Sequence, residues 1–111
     1  MIEKIVYDFL NKELGYPAYM EFNDSMPDTF VVIEKIGSSE DDHLETSGVA
    51  IQSYAPSLYE TAKLNQKVKE TMEKIVSLPH VAACNLVSDH NYTDTYNKRY
   101  RYQAIFDIVH Y

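Results

Sequence analysis

The residues most able to do chemistry are four histidines, His43, His80, His90 and His110, and one cysteine, Cys84. No two histidines stand at the spacing of two to five residues that a metal site within one element shows. Ligands can converge from distant segments, but we expect solvated or structural histidines. Cys84 lies in the apolar stretch VAACNL, residues 81–86, which is typical of a buried, inert thiol.

An acidic run, Glu40, Asp41 and Asp42, could in principle hold a cation. It lacks the alternating oxygen ligands, central glycine and distal glutamate of a calcium loop. The three glycines form no phosphate-binding loop, and no Gly-x-Ser-x-Gly elbow occurs. We therefore predict a protein that is not an enzyme, with no catalytic residue, no metal and no cofactor.

Composition favours one domain, residues 1–111, because 45% hydrophobic and 24% charged residues are ordinary for a globular chain of this length. A net charge of −7 argues against binding to nucleic acid phosphates, and the only basic cluster is Lys98, Arg99 and Arg101. No stretch has the roughly 20 apolar residues of a membrane span, and the acidic residues near the start do not suit a signal peptide. A single cysteine fits a reducing cytosol.

Tyrosine is unusually frequent: ten tyrosines and four phenylalanines occur, without tryptophan. Tyrosine combines apolar area with a polar tip, so it is favoured on surfaces that are buried against a partner. Aromatic residues also have high strand propensity, so the same residues could simply line strands. Both interpretations remain open at this stage.

The apolar spacing over residues 2–14 predicts an amphipathic first helix, which Gly15 and Pro17 end. A short strand is expected over 18–23, a β-branched strand over 29–36, a polar hairpin loop over 38–43 and a returning strand over 44–54. On that last strand Val49 and Ile51 share one face, and Ala50 and Tyr54 the other.

A capping box of Ser57 and Glu60 predicts a second helix as far as Val76. Two strands follow over 81–91 and 99–110, separated by a turn-rich stretch over 93–97. The last strand alternates, with Tyr100, Tyr102, Ala104, Phe106 and Ile108 on one face and Arg99, Arg101, Gln103 and Asp107 on the other. The predicted fold class is α+β, with two helices packed on a mainly antiparallel sheet in the order α-β-β-β-α-β-β.

Three stretches, taken in this order, resemble a known family: MPDTFVVIEKIG at residues 26–37, VAIQSYAPS at 49–57 and YRYQAIFDI at 100–108. The chain is similar to the tail-terminator, or tail-completion, and minor neck proteins of long-tailed phages and prophages. No single motif is specific; the order and spacing of all three carry the resemblance. The chain departs from the family in two places. It has Ser53-Tyr54-Ala55 where many members have a Trp-Ala pair, and its strongly acidic 38–43 segment has no counterpart that the resemblance identifies.

The resemblance implies an α+β subunit that assembles with itself into a ring, commonly a hexamer. Such a ring caps the tail tube, stops its growth and presents a surface to the head–tail connector proteins. The tail tube protein and the connector are then partners, DNA is only passing cargo, and no membrane is involved. The implied location is the virion, with the host cytoplasm as the place of assembly.

The leading hypothesis for the subunit interface is the tyrosine-rich stretch, with Tyr92, Tyr96, Arg99, Tyr100, Arg101 and Tyr102. The alternative is that these side chains cover their own sheet. Glu40, Asp41 and Asp42 are the candidate lining of the lumen, or a partner loop, because negative walls repel passing phosphates.

Two other functions remain open. A head-side neck or connector adaptor of the same virion would also be a small α+β ring subunit. A ferredoxin-like regulatory domain that binds a small ligand is a more distant alternative. Such a domain should have a glycine-containing turn beside a polar pocket, and the three glycines offer no good candidate for it.

Overall fold

The computed structural model describes residues 1–111. Its elements are α1 (Ile2–Glu13), β1 (Ala18–Tyr19), β2 (Phe30–Asp41), β3 (Leu44–Tyr54), α2 (Leu58–Met72), a 3₁₀ turn (Ile75–Ser77), β4 (Val81–Asn91) and β5 (Arg101–His110). One five-stranded sheet has the order β1-β2-β3-β5-β4, and only the β1–β2 pair is parallel. The predicted α+β class and the order of helices and strands are confirmed.

Both helices begin and end where local chemistry favours it. Leu14 follows α1, and Gly15 then adopts a φ of +86°, the left-handed conformation that glycine tolerates best. Ser57 caps α2 by accepting a hydrogen bond from the Glu60 backbone N–H at 3.1 Å. The reciprocal half of the predicted capping box is not formed. The chain beyond α2 tightens into the 3₁₀ turn, so Val76 lies outside the α-helix.

The core lies between the helices and one face of the sheet. Ile51 of β3, Phe106 of β5, Leu10 of α1 and Val68 of α2 belong to the same buried cluster. Full burial of such a side chain stabilises the fold by about 1.5–3 kcal/mol. The opposite face of the sheet carries no helix, and this face is called the open face below. Tyr54 lies on it, so the predicted separation of Tyr54 from Ile51 is confirmed.

The β2–β3 hairpin differs from the sequence prediction. Strand pairing continues from Ser38 opposite Ser47 to Asp41 opposite Leu44, so the expected polar loop over 38–43 is wrong. Only Asp42 and His43 form the turn, with φ values of 49° and 68°. Two successive left-handed residues make a two-residue hairpin turn of type I′, which Asp tolerates. The first predicted strand is also shorter and ends at Tyr19.

Bulges interrupt the ladders of β2 and β4. In β2 the register shifts between Lys35 and Gly37, which leaves Ile36 outside the ladder. Ile36 lies over Gly48, where an added β-carbon would be 3.1 Å from Ile36 Cγ1, so Gly48 leaves room for this side chain. In β4 the shifts leave Ala82 and Val87 unpaired with β5. Bulges increase the local twist of a sheet.

The molecule is elongated, with extents of 45, 24 and 23 Å. Tyr54 pairs with Arg101 at one end of the sheet, and Glu45 pairs with His110 at the other. The β4–β5 connection, residues 92–100, therefore lies at the first end, and the Asp42–His43 turn lies at the second. We call these the tyrosine end and the acidic end.

Candidate interaction surfaces

The tyrosine-rich connection is an ordered hairpin. The Tyr92 N–H donates to the Arg101 carbonyl at 2.8 Å, and the backbones of Asp94 and Arg99 exchange two hydrogen bonds of 2.9 and 3.0 Å. The Asp94 carboxylate closes the turn by accepting from the side chain and backbone of Asn97 and from the backbone of Tyr96. The hydrogen bonds from Asn97 lower the pKa of Asp94 below its usual value. The side chains around this turn are therefore presented on a defined backbone.

The six residues of the interface hypothesis do not share one surface. Tyr96 is 93% exposed and Tyr92 45% exposed, and both follow β4. Tyr102 is opposite Ser53 on the helix side of the sheet and is half-buried. Arg101 lies on the open face, where Nη1 donates to Tyr54 Oη at 3.4 Å. Tyr102 and Arg101 therefore contact their own sheet, while Tyr92 and Tyr96 are exposed to solvent.

An aromatic cluster on the open face fixes Arg99. Phe30 and Tyr54 stack with their ring centroids 4.8 Å apart, and Phe22 packs 6.0 Å from Phe30 and 5.6 Å from Tyr54. The Arg99 guanidinium lies 4.6 Å from the centroid of Phe22, a cation–π contact. This cluster joins the connection before β2 to the β4–β5 hairpin. The sequence makes Arg99 an interface candidate but does not predict its contact with Phe22.

Exposed apolar side chains concentrate at the tyrosine end. They come from the end of α1, the segment after β1, the first turn of α2 and the β4–β5 hairpin: Tyr16, Met20, Phe22, Leu58, Tyr59, Tyr92 and Tyr96. Tyrosine and other aromatic residues are enriched where proteins contact partners. This end is therefore the candidate contact surface with the more exposed apolar side chains.

The acidic end presents Glu40, Asp41 and Asp42 to solvent. Glu40 and Asp41 belong to β2, and Asp42 is the first residue of the turn. The lysine of the same hairpin, Lys35, pairs with Glu45, with its Nζ 3.8 Å from Glu45 Oε2, and forms no salt bridge with these three carboxylates. The three carboxylates lie at the opposite end of the sheet from Tyr92 and Tyr96, so the two groups form separate surfaces of the molecule.

The structure brings together a serine, a histidine and a carboxylate that sequence spacing did not reveal. Ser47 Oγ lies 2.8 Å from His110 Nε2 and donates to Glu45 Oε2 at 3.1 Å, and Glu45 is 3.4 Å from the same His110 nitrogen. In a hydrolytic triad the serine and the carboxylate contact different nitrogens of the histidine ring, whereas here both Ser47 and Glu45 contact Nε2. Ser47 is fully buried, so a substrate has no path to it. The cluster ties β3 to the end of β5.

Two titratable side chains of β4 face the helix layer. Burial raises the pKa of the Cys84 thiol to about 11, so it stays protonated at neutral pH, as an inert thiol would. Partial burial acts to raise the pKa of Asp89, but hydrogen bonds from Lys69 at 2.5 Å and Asn65 at 2.7 Å outweigh it and lower the pKa. Asp89 thereby connects β4 to α2.

Two clefts are open to solvent. One, of about 330 Å³, lies at the tyrosine end between the connection before β2 and the β4–β5 hairpin, with Asp24, Asp28, Lys98 and Arg99 around an aromatic floor. The other, of about 850 Å³, lies beside α2, lined by Tyr16, Tyr59, Glu60, Lys63, Lys67 and Glu70. Both are mixed in charge, and neither converges on a set of polar groups that would select one small ligand.

No group of three or more His, Cys, Asp or Glu side chains is arranged to hold a metal ion. Neither helix combines the length and apolar character needed to cross a membrane. No protein-family model matches the chain, and no curated protein matches it significantly.

Proposed function

We propose that the chain is a structural subunit of a long-tailed phage, a ring-forming tail terminator that caps the tail tube and joins it to the head connector. The observation that carries the proposal is the placement of the three stretches of the resemblance. They occupy the paired strands β2, β3 and β5, and they meet where Phe30, Tyr54 and Arg101 stand side by side. Segments separated in sequence thus form one continuous piece of sheet.

Ring assembly requires two different surfaces on each subunit, because neighbours in a ring meet head to tail. The sheet offers such surfaces: on one side the part of β2 that extends beyond the short β1, and on the other side β4, and the two strands differ in sequence and in their bulges. Tyr92 and Tyr96 extend the β4 side with exposed aromatic area. These features support the proposed role of the tyrosine-rich stretch in subunit contacts.

The charge distribution suits a ring through which DNA passes as cargo. The net charge of −7 disfavours retention of phosphates, and the only basic cluster is partly engaged within the subunit. Arg99 lies on Phe22 and Arg101 bonds Tyr54, so neither side chain is freely extended. The two unlike ends of the molecule supply separate contact surfaces for the tail tube protein and for the connector.

Native mass spectrometry over a wide concentration range, with negative-stain images of the same samples, tests the proposal. We expect a closed ring, a hexamer with a hole about as wide as a DNA duplex, either alone or after addition of the cognate tail tubes as a template. Tubes grown with the protein should stop at its ring. A monomer under both conditions, with tube length unchanged, contradicts the proposal. Binding to head-side rings but not to tail tubes would assign the subunit to the neck instead.

A further inference from the structure

The sheet has two unpaired outer edges. β1 pairs only with Val31 and Val32, so the outer side of β2 is free from residue 33 onward. β4 has β5 as its single strand neighbour, so its outer side is free of strand pairing beyond Val81, whose N–H donates to the Leu78 carbonyl at 3.1 Å. Unpaired backbone N–H and C=O groups along a strand edge are a template for pairing with another chain.

The two free edges match in level and length. Following the register across the sheet, residue 33 of β2 is level with residue 89 of β4, and residue 40 is level with residue 81. The intermediate partners are Ile51 and Ala104 at the first level, and Glu45 and His110 at the second. At about 3.3 Å per residue, each edge is roughly 25 Å long. Subunits related by pure rotation have no axial offset, so their edges would meet over this full length.

Exposed apolar side chains lie at the same level on both edges. Lys35 is level with Leu86, through Val49 and Phe106. Ile36 follows Lys35 and is 51% exposed, while Leu86 is 49% and Val87 57% exposed. No Asp, Glu, Lys or Arg occurs in residues 81–88, although edge strands are commonly protected by such charges. In a chain of net charge −7, this is a place where two copies approach with little repulsion.

Strand direction decides how two copies would pair. β2 is antiparallel to β3, β3 to β5 and β5 to β4, so β4 runs opposite to β2. Rotation about an axis parallel to the strands preserves these directions. β4 of one copy therefore meets β2 of the next in the antiparallel sense, as in the rest of the sheet.

We propose that the free edge of β4 in one copy pairs with the free edge of β2 in a second copy, so that the sheet continues from subunit to subunit. The inference rests on the proposed ring and names its contact. The bulges at Ile36 and Val87 supply local twist of the kind that a curved, closing sheet needs. Tyr92 and Tyr96 continue the β4 edge and would reach the next copy beside β1, near Met20.

Disulfide cross-linking tests the pairing. In a Cys84→Ala background, Ile36→Cys is combined in turn with Asn85→Cys, Leu86→Cys and Val87→Cys, which covers both faces and a one-residue slip. Within one copy β2 and β4 are three strand spacings apart, about 14 Å, beyond the roughly 7 Å that a disulfide spans. Any such bond therefore joins two copies. The control combines Ile36→Cys with Tyr59→Cys, which is 75% exposed on α2.

On mild oxidation we expect at least one edge pair to form a ladder of multimers at several times the yield of the control, while single-cysteine variants give dimers at most. If none of the three pairs gives a higher yield than the control, the proposed strand pairing is wrong. If the wild-type protein nevertheless forms rings, the ring stands and only this contact is excluded. If the multimers cross-link efficiently but neither close into rings nor bind tail tubes, the strand pairing is supported and the proposed tail-terminator function is wrong.

Discussion

Arg99 lies with its guanidinium 4.6 Å from the ring centroid of Phe22, and this contact fastens the β4–β5 hairpin to the connection before β2. Phe22 in turn packs against Phe30 and Tyr54. Arg99 therefore makes its contact within its own chain, whereas the neighbouring Tyr96, 93% exposed, makes no comparable contact. Truncating Arg99 and truncating Tyr96 should therefore have different effects on the stability of the folded chain.

Replacing Arg99 by Ala should lower the free energy of unfolding by about 0.5–1 kcal/mol, the usual value of a cation–π contact at an exposed site. Tyr96→Ala should leave stability unchanged, because the ring is solvated in the monomer, but should weaken assembly. Urea unfolding of the monomer measures the first effect and native mass spectrometry the second. A stable Arg99→Ala together with a destabilised Tyr96→Ala would contradict these roles.

The Asp89 carboxylate should make stability depend on pH in the acid range. Its pKa in the folded protein is lowered by Lys69 and Asn65 relative to an unfolded value near 3.9. Its stabilisation is therefore complete above about pH 5 and is lost as the pH falls through the folded pKa. Asp89→Asn should cost about 1 kcal/mol at pH 7, and the difference from wild type should shrink as the pH falls below the unfolded value and through the lowered folded pKa.

The matched control for that prediction is Asp8→Asn. Asp8 pairs with Lys4 at 2.8 Å, but both side chains are more than half exposed, so solvent screens the interaction. Urea unfolding between pH 3 and pH 7 should show little change for Asp8→Asn at any pH. An equal pH dependence in the two variants would show that the link between β4 and α2 adds nothing.

Much of the fold could be predicted because its local signals agree with its packing. The periodicity of α1 with its Gly15 stop, the Ser57 cap and the alternation of β5 each have a cause within a few residues. The acidic segment was mispredicted for a physical reason. Residues 38–41 are polar on both faces, like a loop, but they are exposed on both faces of a projecting hairpin, so pairing with β3 needs no apolar side chain.

The candidate surfaces were less predictable, because they depend on the order of strands in the sheet. Tyr92 and Tyr102 look alike in sequence, but one follows an edge strand and the other faces the helices from an inner strand. Lys35 is level with Leu86 only through Val49 and Phe106 on two intervening strands, and no local sequence signal reveals such a relationship. The Ser47 and His110 contact likewise joins residues that only the register places together.

His43→Gly should stabilise the β2–β3 hairpin. His43 has a φ of 68°, and a left-handed conformation costs a residue with a β-carbon about 1–2 kcal/mol, while Asp-Gly is a preferred type I′ pair. Because glycine loses more chain entropy on folding, the net gain expected in the free energy of unfolding is about 0.5–1 kcal/mol. His43→Ala, which keeps the β-carbon, should give no gain. A lower urea midpoint for His43→Gly would contradict the observed turn.

The acidic end should act on DNA only in the assembled protein. In the proposed ring, with its axis parallel to the strands, the exposed Glu40, Asp41 and Asp42 of all copies would gather at one rim of the channel, where their field would repel a passing duplex. The triple change Glu40→Gln, Asp41→Asn and Asp42→Asn should therefore raise DNA retention on the assembled protein at low salt, and added salt should abolish the difference. Asparagine tolerates the left-handed conformation of residue 42, so the turn should persist.

The control for this rim effect is a second triple change of equal charge on the helix layer, Glu60→Gln, Glu70→Gln and Glu73→Gln. Filter binding of a short duplex at several salt concentrations compares the two. If both triples retain DNA equally, total charge alone determines retention and the acidic turn has no special position. If only the hairpin triple retains it, these carboxylates lie at the path of the DNA, as expected for strands that run along the channel.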